Sequence, residues 1–266
     1  MRHGAVLASS LAGMLLLVPA WCAGGGGGRG GAPYTNPRGP HPDVDPPFEE
    51  ADTTYRFVGA RMRYIVVPAF YHLLISGGTT MGVPAIGPEF TIRKNGFDYV
   101  LSAMYASYAV DPTPFKSKAD GNEAWEIVDS NLKALYLMSD FLWSIEFNPK
   151  YSIVYGGGVG LGAVFGNIRR MQAYPGSGGP DDPSTYQPCI GPGNPDATFC
   201  GTNNNHYGNY TEPSWVNGGS KPIVFPWLSV ETGFRFKPFH QFMMRIDVGW
   251  NLFNGPFFGL AANYGL

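Results

Sequence analysis

No apolar run beyond residue 20 reaches the 18 or more residues that a membrane-crossing helix needs. The nearest candidate, 64–75, is short and interrupted by Pro68 and His72. A helical span is therefore not expected, and a closed barrel is the remaining way to satisfy a backbone in lipid. Charge is scarce as well. Only 14% of residues are charged, where a soluble domain carries about 25%. The 18 basic and 20 acidic residues nearly balance, which argues against a nucleic-acid partner. There are three cysteines. Neither a phosphate-binding glycine loop, a dinucleotide fingerprint nor a His-Glu-x-x-His motif occurs, so no cofactor and no metal are expected.

What is abundant is aromatic and small. Aromatics reach 15% and there are 37 glycines, a composition that suits a chain meeting lipid with much of its surface. The first 20 residues read as a signal peptide: Arg2 and His3, an apolar stretch 5–18, then Val18-Pro19-Ala20 as a cleavage site. Cys22 raises a lipid-anchor alternative, although Trp21 stands where a small residue is wanted. Residues 21–52 are rich in glycine and proline and read as a disordered leader. The remainder, 53–266, is read as one domain.

From about Tyr55 the dominant signal has period two, the period of a strand. It is clearest at the chain end, where Phe258, Leu260, Ala262, Tyr264 and Leu266 alternate with Phe257, Gly259, Ala261, Asn263 and Gly265. Similar alternation covers 242–250, 227–236 and 151–165, and more weakly 56–70, 84–93, 97–108 and 133–147. That predicts an all-β, antiparallel up-and-down transmembrane barrel of about eight strands. Short turns are expected at 94–96, 148–150 and 237–240. Longer loops are expected at 72–83, 109–132 and 166–222, with a short one at 251–255. Turn length sets register. Arg93 should face Asp98, Phe90 Leu101, Asp140 Gly158, Tyr136 Gly162, Phe147 Tyr151, Phe236 Phe242, and Thr232 Ile246.

Two orientations compete. In a soluble barrel the non-apolar face should carry many Lys and Glu. Here it carries glycine, serine and a few charges, so the apolar face is expected to point outward. Phe97, Phe147, Tyr151, Phe236, Phe242 and Tyr264 cluster beside the short turns and would form an aromatic girdle. Tyr105, Phe165 and Trp250 would form a second. The alternating strands, ending in Tyr264-Gly265-Leu266, resemble bacterial outer-membrane β-barrels, in architecture the small OmpA-type barrels. That family usually ends in Phe, and this chain has Leu266. The resemblance implies outer-membrane location, outer-membrane lipid as surroundings, recognition of the C-terminal strand by the barrel-assembly machinery, and long extracellular loops. No peptidoglycan-binding domain is expected after the last strand.

The inward charges are Arg61, Arg63, Arg93, Arg235 and Arg245 with Glu89, Asp98, Asp140, Glu146, Glu231 and Asp247. Buried charges must pair, so a salt network filling the lumen is expected, with a polar pore or proton path as the functional alternative. The expected register sets Glu231 opposite Asp247 with Arg245 diagonal to both, and Arg245→Ala should destabilise the barrel. Cys189 and Cys200 should form a disulfide in an exported chain. In the 166–222 loop, Asp181, Asp182 and Asp196 lack calcium-loop spacing, and Asn209-Tyr210-Thr211 matches a glycosylation sequon by chance. Glu123–Asp129 reads as an amphipathic helical turn, with Trp125 and Val128 on one face. His72 and Ser76 are the pair that a lipid-modifying enzyme would need. The expected function is a structural or surface-contact barrel, not an enzyme, with an unknown extracellular ligand. A narrow channel for ions or small solutes is the alternative, and an outer-leaflet lipid enzyme the third reading.

Overall fold

A computed structural model describes residues 49–67, 80–116, 120–202 and 205–266. The signal peptide, Cys22, most of the leader, and the His72–Ser76 pair lie outside the described residues. Among the described residues the chain is all-β apart from three short 3-10 turns, Asn122–Ala124, Pro183–Thr185 and Trp215–Asn217. Ten strands follow in order: β1 Tyr55–Val67, β2 Met81–Lys94, β3 Phe97–Phe115, β4 Glu126–Asn148, β5 Tyr151–Phe165, β6 Ile168–Tyr174, β7 Gln187–Pro188, β8 Val224–Phe239, β9 Phe242–Asn251 and β10 Gly255–Gly265. Each of β1 to β4 pairs antiparallel with the next, β5 pairs with β8, β8 with β9, β9 with β10, and β10 with β1. These eight strands close a cylinder without an edge, so every strand finds partners on both sides.

Turn chemistry sets the register at one end. Asn95 and Gly96 both take positive φ, 50° and 76°, as a two-residue hairpin turn demands. Lys94 then faces Phe97, Arg93 faces Asp98 and Phe90 faces Leu101. Across β4 and β5, Asp140 faces Gly158 and Tyr136 faces Gly162. A Cβ at Gly162 would stand 2.6 Å from the Tyr136 ring, and one at Gly158 would overlap Asp140 Oδ1. Glycine is what lets these large inward side chains fit a narrow cylinder.

Several expectations are corrected. The turn after β4 has two residues, Pro149 and Lys150, not three. Tyr151 therefore faces Asn148, and Phe147 sits in a bulge that restores the register. Asn148 Oδ1 accepts from the backbone N–H of Lys150 and Tyr151, at 2.9 and 3.0 Å. The turn is His240-Gln241 and does not span 237–240: β8 runs on to Phe239, and a bulge between Phe236 and Phe239 shifts the pairing by one. Phe236 faces Met244, not Phe242, and Thr232 faces Val248, not Ile246. Glu231 consequently faces Gly249, and Asp247 faces Gly233. Nor is 109–132 a loop. β3 and β4 stay paired as far as Phe115 and Glu126. The helical turn expected at Glu123–Asp129 is the 3-10 turn Asn122–Ala124 followed by strand. Trp125 shares its buried face with Ile127, at strand spacing, and not with Val128. The 166–222 connection is folded too: β6 adds to the outer part of β4, and β7 adds to β6.

Candidate functional site

Parity along each strand divides the molecule into a lumen and an outer wall. The lumen is filled in three layers. Nearest the short turns, Arg93 pairs with Asp98 at 2.8 Å and with Glu146 at 2.6 Å. Arg235 reaches Glu146 at 3.2 Å and donates from Nε to Ser152 Oγ at 2.8 Å. Two further residues belong here that strand reading had missed. Lys237 is buried between Tyr55 and Phe57, 5.1 and 5.8 Å from their ring centres. Glu49, from the segment before β1, pairs with Arg93 at 2.6 Å and Lys237 at 3.0 Å. Burial alone would raise the Glu49 carboxyl. Arg93, Arg235 and Lys237 outweigh that and hold it at about 2. Lys237 has the same parity as Arg235 and was legible had β8 been carried three residues further. Nothing in the leader's composition marks Glu49.

The middle layer brings together Arg61, Arg63, Glu89, Asp140, Glu231, Arg245 and Asp247, every side chain essentially inaccessible. Arg61 contacts Glu89 at 2.8 Å, Asp140, and Asp247 at 3.8 Å. Arg63 contacts Glu231, and Asp140 at 3.3 Å. Arg245 contacts Asp247 at 2.7 Å and Glu89 at 3.3 Å. Asn263 donates to the second oxygen of Glu89. Four carboxyl groups thus face three guanidiniums.

The layer nearest the long connections is apolar. Ile65, Val83, Met104, Leu132, Tyr136, Trp227 and Phe257 form one buried cluster. Its polar tips are matched: Tyr108 and Tyr136 hydroxyls lie 2.7 Å apart, and Trp227 Nε1 donates to Ser229 Oγ at 2.9 Å. The Arg63 guanidinium caps this layer from the ionic side, 4.4 Å from the Phe257 ring and 5.3 Å from Trp227.

The outer wall has the opposite character. Outward positions from Val58 to Val66 on β1, Leu135 to Phe147 on β4, Val224 to Phe236 on β8 and Phe242 to Trp250 on β9 hold no charged side chain. Leu137 is 60% exposed, Val230 67% and Phe258 58%. Arg56, Lys94 and Lys150 stand beyond this belt at the turn end, and Lys133 at the other. The six turn-end aromatics named from sequence all lie on the outer wall beside the short turns. Tyr151 stacks on Phe236 at 5.1 Å, Phe97 packs on Trp143 at 5.3 Å, Phe242 faces Tyr264, and Phe147 is exposed.

Comparison with known proteins adds only remote likenesses. No protein-family model matches the chain, and no curated protein matches its sequence. Among solved structures, neisserial surface protein A is similar at 8% identity and TM-score 0.41, covering 81% of this chain and 99% of that one. The attachment invasion locus protein of Yersinia pestis, crystallised with the heparin analogue sucrose octasulfate, gives 10% identity and TM-score 0.36 over 82% of this chain and 100% of that one. The N-terminal β-barrel domain of Pseudomonas aeruginosa OprF gives 11% and 0.31 over 82% and 100%. These TM-scores are below 0.5, and the fold stands on the strand ladder itself.

Above the barrel, at the end of the long connections, β6 and its neighbours build a second small core from Trp125, Ile127, Met171, Ala173 and Tyr186. Cys189 and Cys200 are disulfide-bonded beside it. Arg170 pairs with Glu126 at 2.6 Å and Glu212 at 3.7 Å, and Arg169 with Asp129 at 2.5 Å. His206 Nδ1 lies 2.9 Å from Glu126 and its ring stacks on Tyr210 at 4.1 Å. Glu212 also accepts from the Ser220 N–H and hydroxyl, both at 2.7 Å. Burial opposes its ionisation, but these donors and Arg170 hold its carboxyl below the usual range. Asp182 and Asp196 serve as turn caps, accepting from Ser184 and Thr198.

Proposed function

We propose that the chain is an integral outer-membrane barrel with a filled lumen, whose work is structural or is surface contact at the long-connection end. The observation that carries this reading is the uncharged apolar belt around all eight barrel strands. A monomeric soluble protein rarely exposes an apolar patch above a few hundred Å². This belt circles the molecule. Its height also fits. The ten residues of β9, at about 3.3 Å each and tilted by about 40°, rise about 25 Å, the height of a lipid-facing band. β3 and β4, with 19 and 23 residues, are longer than a span requires and would carry the platform clear of the lipid. In this orientation the short turns face the periplasm. β10 is the strand by which the barrel-assembly machinery would take up the chain.

The filled lumen argues against a channel for ions or solutes, because three layers of packed side chains would have to part. Fractionation together with heat-dependent gel mobility tests the reading. The protein should be found in the outer membrane as a compact band that shifts on boiling, and planar bilayers should show no steady conductance. A form freely soluble in the periplasm would refute the membrane reading, and a stable single-channel current would refute the filled lumen.

A further inference from the structure

The turn-end mouth of the lumen is closed by residues that are not part of the wall. Asp52 N–H donates to Asn95 Oδ1 at 2.8 Å, and Asn95 Nδ2 donates to Asp52 Oδ1 at 2.9 Å. Glu50 N–H donates to the Tyr55 hydroxyl at 2.8 Å. These bonds turn the segment back across the mouth and direct the Glu49 side chain inward. Its carboxylate accepts from Arg93 Nε, with Oε1 at 2.8 Å and Oε2 at 2.6 Å, and from Lys237 Nζ at 3.0 Å.

Charge counting gives this contact a meaning. The three buried cations, Arg93, Arg235 and Lys237, meet two wall carboxylates, Asp98 and Glu146. The third negative charge comes from Glu49. The match is incomplete in shape. Arg235 Nη1, buried, has no hydrogen-bond partner and lies 3.7 Å from Glu49 Oε1. Two carboxylate oxygens serve Arg93 and Lys237 and leave that donor facing the same centre.

We propose that Arg93, Arg235 and Lys237 form an anion-binding site for a phosphate or carboxylate group, with Glu49 as its tethered occupant. Guanidinium groups suit this chemistry, since their planar donor pairs match the oxygens of both anions. A phosphate brings more oxygens than Glu49 and reaches the donor that Glu49 leaves unmet. A tethered occupant acts at an effective concentration of about millimolar or more, so the site opens to outside anions when the strap is drawn away. The strap lies on the leader side of β1, so tension or a partner on the leader is the means by which it would open.

Chemical rescue tests this. Glu49→Ala empties the site, while Glu49→Gln fills it without charge. The refolded full-length proteins are compared in inorganic phosphate, in acetate, and in chloride of equal ionic strength. Glu49→Ala should lose heat resistance in chloride and regain it in phosphate or acetate. By calorimetry it should bind the rescuing anion about 10-fold or more tightly than wild type does. Glu49→Gln should not be rescued. The more effective anion identifies the preferred group. If Glu49→Ala fails to refold in chloride, its refolding yield in phosphate or acetate is the same readout. Equal behaviour of Glu49→Ala in all three salts, or rescue of Glu49→Gln to the same degree, overturns the proposal.

Discussion

Replacing Arg61 by methionine should unfold the barrel far more readily than replacing Asp140 by asparagine, although the two side chains touch. The middle layer holds Arg61, Arg63 and Arg245 against Glu89, Asp140, Glu231 and Asp247. Arg61→Met leaves two cations facing four carboxylates, and Glu89, Asp140 and Asp247 each lose a partner. Breaking a buried pair in this way costs about 3–5 kcal/mol. Asp140→Asn leaves three carboxyl groups against three guanidiniums, with an amide still able to accept from Arg61 and Arg63. Its cost is that of weakened hydrogen bonds, about 1–2 kcal/mol. The double variant restores the wild-type excess of one carboxylate, so it should be more stable than Arg61→Met alone. Arg245→Ala, which takes one partner from each of Asp247 and Glu89 and leaves both with Arg61, should destabilise the barrel but by less than Arg61→Met. Urea unfolding in lipid vesicles, followed by the loss of the heat-shiftable gel band, measures all four. Equal losses for Arg61→Met and Asp140→Asn, or a double variant no better than Arg61→Met, would refute the charge count.

Val230→Arg tests the wall: it should cost about 2–4 kcal/mol if this position meets hydrocarbon near mid-height, and under about 0.5 kcal/mol if it meets water, as urea midpoints in vesicles will tell. Removing both Cys189 and Cys200 as serines should forfeit about 3 kcal/mol of loop-closure stabilisation, confined to the platform. Protease should then cut within 189–200 faster while the heat-shiftable barrel band persists. Glu49 predicts an acid-sensitive mouth. Its carboxyl is lowered from the ordinary 4.5 to about 2, so its stabilisation is complete above pH 4.5 and is lost as the pH falls towards 2. The shift corresponds to at most about 3 kcal/mol. Wild type should lose more heat resistance than Glu49→Gln between pH 5 and 3. Every other ionisable group is common to the two proteins, so the difference isolates Glu49. Parallel curves would contradict it.

The barrel was legible because a strand with one face on an apolar outer wall and the other in a polar lumen must alternate, and the alternation survives without any partner in view. Asn95-Gly96 fixed one hairpin outright, since its geometry admits one loop length. Where the chain inserts a residue into one strand only, parity arguments slip. The bulge at Phe147 and the one after Phe236 are each invisible to a rule that counts from the turn. The second slip, in which the turn lies further along than expected and the bulge takes back one residue, moved Asp247 from Glu231 to Gly233 without disturbing which face either occupies. Strand ends were misjudged for another reason. Beyond the apolar belt, the outer face of β3 and β4 is no longer apolar, so the pattern fades while the ladder continues to Phe115 and Glu126. The platform's second core draws on Trp125, Met171 and Tyr186, with Trp125 more than 45 positions from the other two. No local period links them. Glu49 was out of reach because its role depends on charges brought together from β2 and β8.

The three lumen layers and the wall leave little of the molecule available for recognition. A closed sheet has no edge with which to pair. The wall's outer face is uniform and apolar, suited to lipid rather than to a particular protein. The lumen cannot admit a solute without separating Trp227 from Phe257 and Arg63, which pack within 4.4–5.7 Å of one another. Discrimination therefore falls to the two ends, and they differ. The turn end is tight, with two-residue turns and one anion-shaped contact at Glu49. The other end carries the disulfide-braced platform, on which Ile190, Trp215 and Val216 stand 71%, 52% and 74% exposed. Exposed apolar and aromatic side chains are what protein interfaces favour at their centres. The extra length of β3 and β4 is then explained by what it raises: it carries a folded platform beyond the apolar belt on the same ladder that closes the barrel.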